Sequence, residues 1–84
     1  MTINLSLYKS SRPVVDKWCA RRKNENLVNG VSQLASVTFC PAIVVAYWIG
    51  DNLGWPPEVV ECINRLTEFY DYDAIEGKPE GAPV

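Results

Sequence analysis

Three thiols and no imidazole set the chemical limits of this chain. Cys19, Cys40 and Cys62 stand 21 and 22 residues apart with no C-x-x-C pair, and histidine is absent from the sequence. That spacing excludes the common zinc patterns, and a cysteine nucleophile would lack its usual base. The thiols therefore read as buried side chains in a reducing compartment. Carboxylates offer no better start. Glu58 and Glu61 sit where a helix begins, and the positive end of a helix dipole explains them. "DYDAIEG", residues 71–77, lacks the regular oxygen-ligand spacing of a calcium loop. With no glycine-rich phosphate loop, the sequence argues against an enzyme and requires neither metal nor cofactor.

Binding chemistry is better represented. "KWCARRK", residues 17–23, concentrates positive charge in an otherwise acidic protein. Residues 1–30 carry six basic and two acidic side chains, a net of +4, and residues 31–84 carry two basic and eight acidic, a net of −6. Such a segment can touch phosphate backbones, or it can be a solvated helix face. The opposite extreme is "FCPAIVVAYW", residues 39–48, which has no charge at all.

The elements that must position these residues are set by spacing and caps. Eighty-four residues form one domain able to bury only about 60–65 % of its unfolded surface, so a small core or an oligomer is expected. With 48 % hydrophobic and 21 % charged residues the chain is globular. It shows neither a signal-peptide pattern nor an apolar run near the roughly 18 residues of a membrane span, which points to the cytoplasm and away from membranes. "MTINLSLY" alternates and is read as a short strand or an arm. Helices are expected at about 12–28, 32–38, 41–49 and 57–70. The first is opened by Pro13 and stopped by Asn29-Gly30, the second capped by Ser32, the third opened by Pro41, and the fourth opened by Pro56 and Pro57. The domain is expected to span residues 1–76, with 77–84 a mobile tail. Expected core residues are Val14, Trp18, Leu27, Leu34, Ala35, Cys40, Val45, Trp48, Val59, Ile63 and Leu66.

The middle of this pattern has helix-turn-helix spacing. A small residue at the helix crossing, a turn residue four later, and apolar residues five, ten and thirteen later are supplied by Ala35, Phe39, Cys40, Val45 and Trp48. Over about half its length the chain resembles the phage Cro-type repressors and their prophage YdaS-like relatives. The matching residues are Leu34-Ala35, Val45 with Trp48, Trp55-Pro56 and "INRLT" from Ile63 to Thr67. The resemblance implies an all-α, Cro-like domain of four to five helices that binds operator DNA as a homodimer. It places Arg21, Arg22, Lys23, Ser32 and Gln33 on phosphates, and Pro41, Ala42, Ile43, Ala46 and Tyr47 on the outer face of the recognition helix.

Two departures from the family weaken direct base reading. Phe39 stands where the family has glycine, so the turn is strained or differently shaped. The third helix carries only Tyr47 as an outward side chain able to hydrogen-bond, which is poor equipment for reading bases. A second reading therefore keeps the scaffold but gives Ile43, Val44 and Tyr47 to a protein partner: a second copy, a repressor or a host factor. In a third, the apolar run is simply the buried centre of a small domain.

Overall fold

The computed structural model describes residues 2–69 and 74–83. Its elements in chain order are β1 (Ile3–Asn4), a 3-10 segment (Leu5–Ser11), α1 (Arg12–Arg21), α2 (Leu27–Thr38), α3 (Ala42–Leu53), α4 (Pro57–Leu66) and β2 (Ile75–Glu76). The domain is all-α, with one short parallel strand pair that matches Ile3 to Ile75 and Asn4 to Glu76. Of the two readings of the N-terminus, strand or arm, β1 realises a two-residue strand; Ile3 and Leu5 are buried, whereas Leu7, the next alternating apolar residue, is exposed in the 3-10 segment.

Local chemistry sets the helix ends. α1 starts with Pro13 in its first turn and stops at Arg21, because Arg22 turns extended (φ −62°, ψ 148°). The "KNEN" stretch is a loop organised by its own side chains. The Arg22 guanidinium donates to the Glu25 carbonyl at 3.2 Å, and the Lys23 amide donates to the Glu25 carboxylate at 2.6 Å. Asn26 then caps α2, its side-chain oxygen accepting from the amides of Val28 (2.9 Å) and Asn29 (3.2 Å). This corrects two expectations: the first helix does not reach residue 28, and the second starts at Leu27, not Ser32.

Gly30 therefore lies inside a helix that it was expected to end, and packing is the reason. A Cβ there would come within 2.4 Å of the Trp18 ring, so the position must stay bare for α1 and α2 to meet. Gly50 repeats the device inside α3, where a Cβ would come within 2.4 Å of the Trp55 ring. α3 runs on past its expected end at Ile49 to Leu53, and Gly54 closes it in the left-handed region at φ 74°. α4 opens on Pro57, turns Val59 and Ile63 inward and ends at Leu66. The fourth helix, expected to reach residue 70, stops at Leu66 and residues 67–69 form a turn, while residue 70 and the stretch 71–73 lie outside the described residues.

α3 is the axis of the fold. Every residue from Ile43 to Gly50 is buried, and α1, α2 and α4 all pack on it. A helix that is apolar on all sides is stable only where every side is covered. Val59 and Ile63 of α4, Val31 and Leu34 of α2, Val15 of α1 and Ile75 of β2 complete that cover. Of the expected core, Leu27, Leu34, Cys40, Val45, Trp48, Val59 and Ile63 are buried, Trp18, Ala35 and Leu66 are partly buried against it, and Val15 rather than Val14 faces inward. Residues 77–83, expected as a free tail, lie against the body; Ala82 packs on the core, and a Cβ at Gly81 would come within 3.3 Å of the Trp55 indole nitrogen. No helix among the described residues is long and apolar enough to cross a membrane.

Candidate protein-binding groove

The burial of α3 decides which surfaces remain for function. Ile43, Ala46 and Tyr47 are fully buried, and Pro41 and Ala42 partly so. Assigning Ile43, Ala46 and Tyr47 to base edges is therefore corrected, as is the alternative of offering Ile43, Val44 and Tyr47 to a protein partner. The Tyr47 ring meets Trp55 edge to face, at 6.3 Å between centroids and 74° between planes, inside the core. Ser32 and Gln33 are exposed but lie in the second turn of α2 rather than at its N-terminus, so they do not present the free amides of a helix start.

The basic residues divide into two groups. Arg12 is committed to structure: it bonds Asp51 on α3 and Asp16 one turn ahead, and the bond to Asp51 raises its pKa further above neutrality. Asn52 adds to this clasp by donating to Asp16 at 2.8 Å and to the Trp48 carbonyl at 2.9 Å. Lys17, Arg21, Arg22 and Lys23 make no carboxylate pair among the described residues. The last three gather at the C-terminal end of α1, where the helix dipole is negative and favours them.

Beside them lies an open groove of about 330 Å³, lined by Val14, Lys17, Trp18, Arg21, Arg22, Glu25 and Leu34. Val14, Lys17, Trp18 and Arg21 recur at helical spacing, so one face of α1 forms a wall in which apolar and cationic side chains alternate. Leu34 of α2 supplies apolar floor. Trp18 is partly buried, its ring resting on bare Gly30. Val37 follows Leu34 by three residues on the same side of α2 and is 69 % exposed, while Val14 is 44 % exposed. Phe39, which ends α2, is 92 % exposed and holds a left-handed backbone at φ 55°, ψ 33°. The turn expected to be strained is thus left-handed without glycine.

Catalytic chemistry finds little support among these groups. Burial first, and Asp16 second, push the Cys19 thiol up to about 11, so at neutral pH it is not a thiolate nucleophile. Burial raises Cys62 as well. The Cys40 thiol is buried and donates to the Thr38 carbonyl at 3.6 Å. Among the described residues no three His, Cys, Asp or Glu side chains gather as a metal site would require.

Sequence reasoning found the cations of this groove but missed its floor. It placed Val14 in the core, whereas Val14 is 44 % exposed. The doublet Val14-Val15 gives either residue to the core, and only the position of α3 chooses between them. One signal was legible: a bulky aromatic where the motif has glycine. No protein-family model, curated protein or solved structure matches the chain.

Proposed function

We propose that this chain is a small, non-catalytic interaction protein whose α1–α2 groove takes apolar side chains of a protein partner. One observation carries the reading: Val14, Trp18 and Leu34 form an open apolar floor beside cations that make no ion pair among the described residues, while the helix expected to do the contacting is buried on every side. A partner side chain entering the groove removes apolar surface from water at about 25 cal/mol per Å². Lys17 within this wall, and Arg21 and Arg22 at its end, attract a partner with nearby carboxylates and speed its approach. The groove is an amphipathic seat, and an acidic amphipathic helix is the simplest ligand for it.

A direct test titrates the ¹⁵N-labelled protein with a synthetic helix carrying leucine on one face and glutamate on the other. The Trp18 indole resonance should shift in a saturable way, whereas those of buried Trp48 should not. Silence at Trp18 up to millimolar peptide, or equal shifts with a lysine-for-glutamate peptide, would remove the groove from consideration.

A second reading, operator binding in the manner of Cro-type repressors, is supported by Arg21, Arg22 and Lys23, which make no ion pair among the described residues, together with the resemblance. With Ile43, Ala46 and Tyr47 buried, this binding would rest on phosphates and would not depend on sequence. Each phosphate contact adds about 0.9 to the salt slope on duplex DNA. Under this reading random duplex binds at low salt, and Arg21→Ala with Arg22→Ala reduces the slope by about 2. No binding at low salt, or an unchanged slope in the double variant, would end it.

A further inference from the structure

We infer that residues 75–82 are the chain's own ligand in a separate peptide-binding seat, and that a partner protein's segment of the same pattern replaces them there. The pattern is an aliphatic residue followed by glycine two and six positions later, as Ile75, Gly77 and Gly81 are here. The seat shares no residue with the α1–α2 groove, so the inference stands apart from the reading of that groove. Its walls are fixed by contacts within the body. Asn4 is held by its own cap, the side-chain oxygen accepting from the Ser6 amide at 2.9 Å. Trp55 sits in the left-handed region at φ 61°, with its amide donating to the Gly50 carbonyl at 2.9 Å. Its ring rests on bare Gly50 and meets the Tyr47 ring, so it cannot retreat inward.

Residues 75–82 fit these fixed groups at three points. β2 lies parallel beside β1, and the Ile75 side chain is buried. Gly77, at φ 77°, passes Asn4 and Ser6 where a Cβ would come within 3.2 and 3.3 Å of their side-chain oxygens. Gly81, at φ 86°, passes the Trp55 indole nitrogen at a Cβ distance of 3.3 Å. Each glycine thus meets two demands at once, a left-handed backbone and a bare Cα. A tail with no seat to fit needs neither, whereas a segment recognised by strand addition is read in this way, by backbone pairing and by the space left for chosen side chains. The segment does not fill its seat. A cavity of about 150 Å³ stays open beside Gly77, walled in part by Leu5, Lys9 and Trp48. A partner's segment can make contacts there that residues 75–82 leave unmade. Its competitor is tethered, and a tethered segment acts at an effective concentration on the order of millimolar. Residues 75–82 therefore act as an autoinhibitory strap that excludes weak peptides and yields to a partner able to use the open space.

The test follows the Trp55 indole resonance of the ¹⁵N-labelled full chain during titration with the synthetic peptide AIEGKPEGAP, the sequence of residues 74–83. Wild type is compared with Ile75→Asp, which releases the strap at its anchor, and with Gly81→Val, an exposed position whose new side chain meets Trp55. A circular-dichroism melt checks that each variant folds, and either one suffices. In both, the Trp55 resonance should leave its wild-type position, and the peptide should return it saturably. Ile75→Asp should bind the peptide at least about 10-fold more tightly than wild type, in which the tethered strap competes. The peptide carrying Gly77→Val and Gly81→Val should leave Trp55 unmoved. Folded variants with an unshifted Trp55, no response up to millimolar peptide, or equal binding of the doubly substituted peptide each overturn the inference. So does a wild-type Trp55 shift that depends on protein concentration without peptide, which would give the seat to a second copy.

Discussion

Replacing Phe39 with glycine should make the monomer more stable, although it deletes a large apolar side chain. The left-handed backbone at φ 55° costs a side-chain-bearing residue about 1–2 kcal/mol that glycine does not incur. Glycine's greater freedom in the unfolded chain returns about 0.5–1 kcal/mol of this. Burying a whole phenylalanine side chain contributes about 1.5–3 kcal/mol, but with 92 % of Phe39 in water only about a tenth of that is at stake. The balance favours Phe39→Gly by about 0.3–0.7 kcal/mol. For a chain of this size each kcal/mol moves Tm by about 4–8 °C, so a rise of about 1–6 °C is expected. The assay is a thermal melt at low micromolar concentration, where self-association does not contribute. Phe39→Ala is the control: it removes the ring but keeps the strained backbone, and should stay within about 0.5 kcal/mol of wild type. A lower Tm for Phe39→Gly, or a loss above about 1 kcal/mol for Phe39→Ala, would show that the ring packs against the domain in solution.

The same packing sets three further outcomes. Trp48→Ala should lose about 3–5 kcal/mol in chemical denaturation, since Trp48 is buried in α3; a loss below 1 kcal/mol would remove it from the core. Asn26→Ala should lose about 1 kcal/mol by uncapping α2, while Ser32→Ala, exposed in mid-helix, should change stability by less than about 0.5 kcal/mol; the reverse order would move the start of α2 back to Ser32. Alkylation of Cys19 by iodoacetamide should be slow at pH 8 and accelerate only as pH approaches about 11. The sign is that of a raised acid: the folded state holds the thiol proton more firmly than the unfolded state. Stability tied to it is present below about 9 and fades as pH rises towards about 11. Rapid alkylation at pH 8 in the folded protein would contradict the burial assigned to this thiol.

Much of the fold was legible because single residues announce it. Pro13, Pro41 and Pro57 mark three helix starts, and the spacing of Val59 and Ile63 marks the inner face of α4. The second helix was misplaced because Asn26 and Ser32 are both competent caps, and because Gly30 looks like a stop until Trp18 is seen resting on it. Local sequence holds no record of that tertiary contact. The site was harder to read. Helix-turn-helix spacing marked Val45 and Trp48 as inward but said nothing about the opposite face of α3, which α1 and α4 cover in this structure. Absence of charge between residues 36 and 50 was the better guide, since an uncharged helix in a small domain seeks the centre. The groove came into view only when Val15 took the inward position and left Val14 outside.

The pairing of Ile3 with Ile75 joins residues 72 positions apart, and both side chains are buried. Closing so long a segment yields little until the helices between have assembled, because loop entropy rises with the logarithm of length. The strand clasp should therefore be the last part of the molecule to form and the first to open, with its amides exchanging in deuterated water ahead of those in α3. It would act as a latch rather than a nucleus: cutting away the first four residues should leave the helices folded but admit solvent to the core beneath Ile75.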